Sequence, residues 1–198
     1  MIGIVDYGAG NLRSVQKALE ALGRPAIVSG EPAALDGCDR LILPGVGSFG
    51  AGMAELSARG LDVYVKERVR DTPLLGICLG MQFLLETSFE DGTFAGLGLI
   101  PGQVVRFREG KIPQIGWNEV TALRTPLFAG IAEGTRFYFV HSYRADCAGE
   151  YAAAYTDYYG AYPSAIARGN AYGVQFHPEK SGEAGLRLLQ NFCGLKRM

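Results

Sequence analysis

Long apolar runs, excess charge and paired cysteines are all missing from this sequence. No run approaches the ~18 apolar residues that a membrane-spanning helix needs, and Asp6 ends the short apolar N-terminus, which argues against a signal peptide. The formal net charge is −1 and no basic run marks one face, so neither a nucleic-acid nor a membrane surface is indicated. We therefore expect a cytoplasmic protein that binds neither nucleic acid nor membrane.

Cysteine and histidine are too sparse for a metal centre. The chain has four cysteines and two histidines, and no two cysteines have the CxxC spacing of a zinc site. Reduced thiols are the simpler interpretation, and we expect neither a metal nor another cofactor. Glycine, by contrast, is abundant at 28 residues, about twice the usual share. That excess is typical of tight turns around α/β active sites.

The sequence pattern predicts a single α/β domain over residues 1–198. In the first half, apolar runs of strand length alternate with helical patterns, as in a mostly parallel sheet with helices on both faces. The predicted strands there are Ile2–Val5, Ala26–Val28, Arg40–Leu43 and Leu74–Ile77. The first predicted helix follows Asn11, which can cap it, and others cover about residues 48–59, 61–69 and 81–86.

The second half differs because strand patterns follow one another with little helix between them. These predicted strands are Val104–Phe107, Ile115–Val120, Phe137–Val140, Tyr151–Tyr155, Ala165–Ala167 and Tyr172–Phe176. Some of them should form antiparallel pairs beside the parallel core. Ser181 is predicted to cap a last helix, with Leu186, Leu189 and Phe192 on its inner side. The predicted fold is therefore a mixed, mostly parallel sheet with flanking helices and antiparallel additions.

The segment Gly76-Ile77-Cys78-Leu79-Gly80 lies between an apolar strand and a helical pattern. This is a nucleophile elbow with cysteine as the nucleophile, and it needs glycines because side chains there would collide with the sharp turn. The elbow would place Cys78 at a helix N-terminus, where thiolate is favoured, with the Leu79 N–H ready to bind an oxyanion. The alternative is that Cys78 is a small core residue. The other cysteines lack this setting and are interpreted as bystanders: Cys38 in a polar loop, Cys147, and Cys193 on the inner face of the last helix.

A cysteine nucleophile needs a base, usually a histidine that a third group orients. His177 precedes Pro178 and Glu179, and in an extended segment residues two apart project to the same side, so Glu179 can reach the His177 ring. His141 has no carboxylate beside it, and we interpret it as a hydrogen-bonded structural residue. The alternative for the His177 segment is a solvated loop after a strand.

The segment Gly45–Gly50 has the GxGxxG spacing of a dinucleotide site. It follows the third predicted strand, not the first, and the chain is short for a cofactor domain plus a substrate domain. We favour the alternative, a flexible backbone strip at the sheet edge of Cys78 that supplies a second oxyanion N–H.

Together these segments resemble the class I (triad) glutamine amidotransferases and, more closely, the family of glutaminase subunits of imidazole glycerol phosphate synthase. The likeness covers essentially the whole chain and implies a flavodoxin-like sheet. Its pieces are Val5–Leu12, Leu43–Phe49, Gly76–Gln82, Gly116–Asn118, Phe139–Tyr143 and Gly173–Ser181. The cysteine and histidine motifs indicate only the wider class, whereas Tyr7–Asn11 and Gly116–Asn118 narrow it to the synthase subunit.

The resemblance implies that Cys78 attacks the side-chain amide of glutamine while His177, oriented by Glu179, moves the protons. A γ-glutamyl thioester forms, ammonia leaves and water releases glutamate. The resemblance also implies an oxyanion hole from the backbone of Leu79, Gly45 and Val46. It implies that Gln82 and Glu90 bind the substrate's α-amino end. Backbone at Ser142 and Tyr143 would then bind its carboxylate.

The implied partner is a (βα)8-barrel cyclase that receives the ammonia, so that the heterodimer makes imidazole glycerol phosphate and an aminoimidazole carboxamide ribonucleotide in histidine biosynthesis. The positions that match the family's subunit junction are Trp117, Asn118, Tyr138 and Lys180. The alternative for Trp117 is a core residue, as a lone tryptophan most often is, and the alternative for Lys180 is a solvated lysine. The chain departs from the family at Gln114-Ile115, where a histidine and a methionine are expected, which bears on the interface and not on the chemistry.

Three other functions stay open. One is a glutaminase for another synthase, such as those for anthranilate or pyridoxal phosphate, against which Tyr7–Asn11 argues. Another is a cysteine hydrolase of different specificity, such as a peptidase. The third is a non-enzymatic scaffold subunit, which the intact set of Cys78, His177 and Glu179 disfavours.

Overall fold

A computed structural model describes residues 1–196 of the chain. Its strands are β1 Ile2–Val5, β2 Ala26–Ser29, β3 Arg40–Gly45, β4 Leu74–Cys78, β5 Thr87–Ser88, β6 Phe94–Ala95, β7 Gln103–Arg106, β8 Gln114–Val120, β9 Thr135–His141, β10 Tyr143–Asp146, β11 Ala152–Asp157, β12 Ala161–Arg168 and β13 Ala171–Val174. Its α-helices are α1 Leu12–Ala21, α2 Pro32–Leu35, α3 Phe49–Ala58, α4 Leu61–Arg68, α5 Leu79–Phe83 and α6 Gly182–Gly194. Short 3-10 helices cover Pro126–Phe128 and Pro178–Lys180.

The central sheet has seven strands, in the order β11-β12-β13-β4-β3-β1-β2. The five strands from β13 to β2 are parallel to one another, whereas β12 pairs antiparallel with β13 and β11 pairs antiparallel with β12. The parallel part has the order of a flavodoxin-like sheet, in which ligands bind outside the carboxyl ends of the strands. The strands β10-β7-β5-β6 form a second sheet, and β8 and β9 form an antiparallel pair. The predicted mixed sheet with antiparallel additions is confirmed.

The central sheet separates two apolar layers because successive residues of a strand face opposite sides. In β3, Leu41 and Leu43 pack with the inner faces of α3, α4 and α5, whereas Ile42 packs with those of α1 and α6. Each of these side chains is buried, and burying one contributes about 1.5–3 kcal/mol. The carboxyl ends of β3 and β4 are therefore held from both faces, which gives the sheet edge above them a fixed geometry.

The predicted helix caps at Asn11 and Ser181 are wrong. Both residues occupy the N-cap position, but neither side chain bonds to the first turn of its helix. Asn11 Nδ2 donates to Glu179, and Ser181 Oγ donates to the His177 carbonyl and accepts from the Tyr138 N–H. Both side chains are therefore hydrogen-bonded at or near His177 instead of to the first turn of a helix.

Two local predictions also need correction. The helix after the elbow covers Leu79–Phe83, not residues 81–86, because the returning chain supplies the next hydrogen bond, from the Leu97 N–H to the Phe83 carbonyl at 2.7 Å. Cys38 lies between α2 and β3 but is 1% exposed, so it belongs to the core rather than to a polar loop. Among the described residues, none of the helices combines the length and apolar character needed to cross a membrane.

Candidate active site

Cys78 ends β4 and α5 begins at the next residue, so the backbone of Cys78 carries the turn between them. Its φ of 56° and ψ of −111° lie in a region that non-glycine residues rarely adopt, at a cost of order 1–3 kcal/mol. The buried strand and helix on either side hold the residue in this conformation. Such strain is typical of residues whose position is fixed for chemistry.

The glycines of the elbow are required by close backbone contacts. A Cβ at Gly80 would lie 1.8 Å from the Leu43 carbonyl oxygen, and one at Gly76 would lie 2.5 Å from the Gly80 carbonyl oxygen. Neither backbone atom can move away without breaking β3 or α5. The predicted steric need for both glycines is confirmed.

Two neighbouring strands place residues on either side of Cys78 along the sheet edge. Gly45 pairs with Cys78 between β3 and β4. On the other side Val174 pairs with Ile77 between β13 and β4, so the next residue, Gln175, lies beside Cys78. The edge therefore has the order Gly45, Cys78, Gln175 at the position where parallel sheets bind ligands.

The predicted oxyanion donors lie close to this edge. Leu79 is the first residue of α5, where backbone N–H groups lack a partner within the helix. After Gly45, the chain turns outward through Val46, which is 44% exposed, and Gly47, which has a φ of 100°. The positive φ gives this strip a conformation that favours glycine. The oxyanion role of these three donors stays a prediction.

His177 and Glu179 form a buried pair. His177 Nδ1 lies 2.9 Å from Glu179 Oε1, and the two side chains are 2% and 0% exposed. The predicted contact is confirmed, but the geometry behind it is not an extended segment. His177 is the N-cap of the 3-10 helix Pro178–Lys180, and this turn brings the carboxylate back under the ring. The interpretation of the segment as a solvated loop is wrong.

The environment of His177 favours its protonated form. Burial lowers the pKa of His177, but its interactions with Cys78 and Glu179 raise the pKa to about 10. Its Nε2 atom is buried and has no hydrogen-bond partner among the described residues. Nε2 is thus available to exchange a proton with a group in front of Cys78.

Asn11 provides a second contact to the carboxylate of Glu179. Asn11 Nδ2 donates to Glu179 Oε1 over 3.2 Å, the same oxygen that accepts from His177. The other oxygen, Oε2, is buried without a hydrogen-bond partner in the described part of the chain. The carboxylate is thus held through one oxygen by both side chains.

A cleft of about 370 Å³ opens above the sheet edge, a size that suits a small molecule. Its lining residues are Val46, Gly47, Cys78, Leu79, Gln82, Glu90, Pro113, Val140, His141, Ser142, Tyr143, His177 and Lys180. The structure therefore brings the predicted nucleophile, base and substrate-binding residues to one cleft. Gly45 and Glu179 lie behind its wall.

Two of the predicted substrate-binding side chains are also bonded within the protein. Glu90 Oε2 accepts the Phe49 N–H at the start of α3 over 2.7 Å, and burial raises the pKa of Glu90. Gln82 Nε2 donates to the Tyr143 carbonyl and to Gln175 Oε1, both over 3.0 Å. Both side chains are therefore held in fixed orientations at the cleft, and their roles towards substrate stay predictions.

His141 is the hydrogen-bonded structural residue that its sequence context predicted. Its Nδ1 lies 2.8 Å from the Tyr143 carbonyl oxygen and its Nε2 lies 3.2 Å from the Tyr162 hydroxyl, which is also 2.9 Å from the side-chain amide of Gln114. Burial lowers the pKa of His141 to about 4. The ring is therefore neutral at pH 7, although it also lines the cleft.

The residues assigned to a subunit junction lie on the surface beside the cleft. Trp117 is 56% exposed, and its ring meets Tyr138 edge-on with centroids 6.2 Å apart. Lys180 Nζ lies 5.9 Å from the centroid of the Tyr138 ring. Asn118 is next to Trp117 on β8. Ile115, which lies in the segment where the sequence departs from the family pattern, is 60% exposed. The core interpretation of Trp117 is wrong, and the interface role of this surface stays a prediction.

Sequence reasoning assigned no site role to Asn11 or Gln175. Asn11 was interpreted only as a cap, and Gln175 is part of the quoted motif without a function. The available signal for Gln175 was its position near the end of the predicted strand Tyr172–Phe176, which leads directly into His177.

Comparisons with known proteins identify the relatives of this chain. The family model for class-I glutamine amidotransferases matches residues 3–194. The imidazole glycerol phosphate synthase subunit HisH of Symbiobacterium thermophilum is 53% identical, over 96% of this chain and 92% of its own. The HisH subunit of Methanocaldococcus jannaschii is 46% identical, over 98% of this chain and all of its own.

Solved structures support the fold. The structure of PurLQS from Thermotoga maritima superposes with a TM-score of 0.79 at 22% identity, covering 98% of this chain and 97% of that one. The crystal structure of a glutamine amidotransferase superposes with a TM-score of 0.78, again at 22% identity, with the same coverage. The family match, the close relatives and the shared fold lead to one conclusion: this chain belongs to the class-I glutamine amidotransferase family.

Proposed function

We propose that this chain is the glutaminase subunit of imidazole glycerol phosphate synthase, with Cys78, His177 and Glu179 as its catalytic triad. The observation that carries the proposal is the strained Cys78 elbow facing the same cleft as the buried His177–Glu179 pair. The names of relatives about half identical over nearly the whole chain supply the reaction and the complex.

The reaction proceeds in two halves. Cys78 Sγ, its proton taken up by His177 Nε2, attacks the side-chain amide carbon of glutamine. The imidazolium then gives its proton to the amide nitrogen, the C–N bond breaks and ammonia leaves, with a γ-glutamyl thioester on Cys78. His177 next takes a proton from water, which attacks the thioester, so that the C–S bond breaks and glutamate is released. Glu179 keeps Nδ1 protonated and the ring oriented throughout.

The tetrahedral intermediates carry an oxyanion, and we assign its stabilisation to backbone N–H groups of Leu79, Gly45 and Val46. The N-terminus of α5 supports the Leu79 assignment, because such donors are worth most when aimed at developing charge in a water-poor cleft. The remainder of the substrate is assigned by position along the cleft: Gln82 and Glu90 for its α-amino end, and backbone at Ser142 and Tyr143 for its carboxylate.

The ammonia is passed to a (βα)8-barrel cyclase subunit, which forms imidazole glycerol phosphate and aminoimidazole carboxamide ribonucleotide in histidine biosynthesis. The interface is assigned to the surface of Trp117, Asn118, Tyr138 and Lys180. The exposed Trp117 ring and the cation of Lys180 near the Tyr138 ring support this, since tryptophan and tyrosine are enriched at protein interfaces. The chain acts as one cytoplasmic domain without a cofactor or metal.

The test of this function separates ammonia release from synthesis. The Cys78→Ala variant should lose glutamate release from glutamine, while its complex with the cyclase should still make imidazole glycerol phosphate from added ammonium. Cys147→Ser serves as the control, because Cys147 is a partly exposed cysteine outside the cleft, and this variant should keep both activities. Loss of both activities in Cys78→Ala would contradict a pure ammonia-supply role.

Two rival functions predict different results. A cysteine hydrolase of other specificity would cleave peptides and would not be labelled at Cys78 by an electrophilic glutamine analogue. A glutaminase for another synthase would be labelled but would not pair with the histidine-pathway cyclase in a pull-down.

A further inference from the structure

Gln175 is buried against the proposed nucleophile. It is 0% exposed, and its Nε2 atom lies 3.7 Å from Cys78 Sγ, within hydrogen-bonding distance for sulfur. Its backbone N–H donates to the Ser164 carbonyl over 2.8 Å, which continues the pairing of β12 and β13. The sheet therefore fixes the backbone of Gln175 beside the sulfur.

The orientation of the Gln175 amide follows from a chain of hydrogen bonds. The Tyr143 carbonyl can only accept, so the Gln82 atom 3.0 Å from it must be the donor, Nε2. This same Nε2 lies 3.0 Å from the Gln175 amide, which must therefore present its acceptor, Oε1. The other end of that amide, the Nε2 donor, is then left facing Cys78. A backbone carbonyl thus sets two side-chain amides so that an N–H points at the sulfur.

The other polar contact of the sulfur has the opposite character. The Val140 carbonyl oxygen lies 4.0 Å from Cys78 Sγ and can only accept, so it favours the protonated thiol. The Nε2–H of Gln175 can donate a hydrogen bond to the thiolate form of Cys78, but it cannot accept the proton of the thiol form. Its contact therefore favours the charged sulfur, which is the nucleophile.

We propose that Gln175 is a thiolate-stabilising residue, which donates Nε2–H to Cys78 Sγ and is held in that orientation by Gln82. The inference rests on the proposed glutaminase function and deepens it. The hydrogen bond acts twice: it stabilises the thiolate before it attacks the amide carbon, and it stabilises the electron pair that returns to sulfur when the thioester C–S bond breaks. His177 carries the protons in both steps, and Gln175 carries none.

The test measures how readily Cys78 is alkylated as the pH changes. Iodoacetamide reacts with the thiolate, and its adduct can be quantified by mass spectrometry on the tryptic peptide of residues 71–106, which contains Cys78 and no other cysteine. In Gln175→Met, which keeps the length but removes the donor, the midpoint of the alkylation profile should rise by about one to two pH units, the size of a hydrogen bond to a charged group. In Gln175→Glu, a negative charge replaces the donor and the rise should be larger.

Thr156→Val is the matched control. Thr156 is 1% exposed, its hydroxyl has no partner among the described residues, and its strand β11 is separated from β4 by β12 and β13. This variant also loses a buried polar group, and its alkylation profile should match the wild type. Circular dichroism of each variant verifies folding, and Gln175→Glu supplies the result if Gln175→Met does not fold.

The outcomes are distinct from those that test glutaminase activity. An upward shift in the Gln175 variants, with at least a tenfold loss of glutamate release and an unchanged Thr156→Val, supports the proposal. An unchanged alkylation midpoint in folded Gln175 variants overturns it, even where wild-type protein hydrolyses glutamine. Failure of the wild type to release glutamate would instead overturn the proposed function, and the alkylation profile would still report whether Gln175 acts on the sulfur.

Discussion

Asn11 and Glu179 are joined by a hydrogen bond, from Nδ2 to Oε1 over 3.2 Å, although 168 positions separate them in the chain. The carboxylate is fully buried and also accepts from His177. Asn11 stands at the start of α1, whose inner face is packed on the central sheet. The orientation of the histidine is therefore tied, through Glu179, to a helix at the other end of the chain.

The first prediction concerns this tie. Asn11→Ala should lower kcat for glutamate release about tenfold, because a hydrogen bond to a charged group contributes about 1.5–3 kcal/mol and Asn11 acts through the orientation of Glu179. KM should change little, since Asn11 does not line the cleft. Steady-state kinetics of the complex provide the measurement. Asn191→Ala is the control, because Asn191 Nδ2 binds only the Leu127 and Ala129 carbonyls in the described structure; equal losses in both variants would show that Asn11 acts through general stability.

A second prediction separates orientation from charge at Glu179. Glu179→Gln should reduce the rate of glutamate release less than Cys78→Ala does, because an amide oxygen can still accept from His177 Nδ1. The pKa of His177, raised to about 10 in part by this carboxylate, should fall in the variant, since the imidazolium loses an attractive charge. NMR titration can follow it directly because the chain has two histidines. Equal losses of rate in the two variants would mean that Glu179 does more than orient the ring.

The third prediction tests the packing of the elbow. Gly80→Ala should lower the free energy of unfolding by about 3 kcal/mol, at the upper end for overpacking, because the new Cβ would lie 1.8 Å from the Leu43 carbonyl oxygen. It should also remove glutamate release by displacing Cys78. Gly37→Ala, at a position with nothing within 4 Å of the added Cβ, should be neutral in both urea unfolding and activity. A stable and active Gly80→Ala protein would contradict the close backbone contact.

A fourth prediction follows from the buried His141. Its pKa is lowered to about 4 in the folded protein, against about 6.5 in the unfolded chain. Between these values the unfolded state binds a proton that the native state does not, so the free energy of unfolding falls by about 1.4 kcal/mol per pH unit as the pH decreases. Above about pH 6.5 the residue adds no slope.

His141→Gln removes this contribution. Between about pH 6.5 and pH 5, the wild type should lose about 2 kcal/mol more stability than the variant, as measured by urea unfolding at both pH values. Parallel pH dependences in the two proteins would show that His141 titrates normally in the native state.

Local patterns were enough to predict the features of the site that lie within a few residues of one another. The elbow around Cys78 and the His177–Glu179 contact each depend on one short segment, where glycine sterics and side-chain reach decide the geometry. The same is true of the main strands, whose apolar runs are buried from both sides. Even there, the turn beneath His177 was a 3-10 helix instead of an extended segment.

Contacts between distant segments were beyond such patterns. Gln82 and Gln175 are 93 positions apart, and only the adjacency of β4 and β13 brings them together. Asn11 and Ser181 are residue types typical of helix caps, but the side chain of each is hydrogen-bonded at or near His177 instead. Short elements such as β5 and β6, with two residues each, have no periodicity to detect.

The most direct test of the proposed function is the rate of glutamate release from glutamine, by this chain alone and in complex with the proposed cyclase subunit. We expect a low rate for the chain alone and a steep rise in the complex. The absence of glutamate release under both conditions, with folded protein, would contradict the glutaminase assignment.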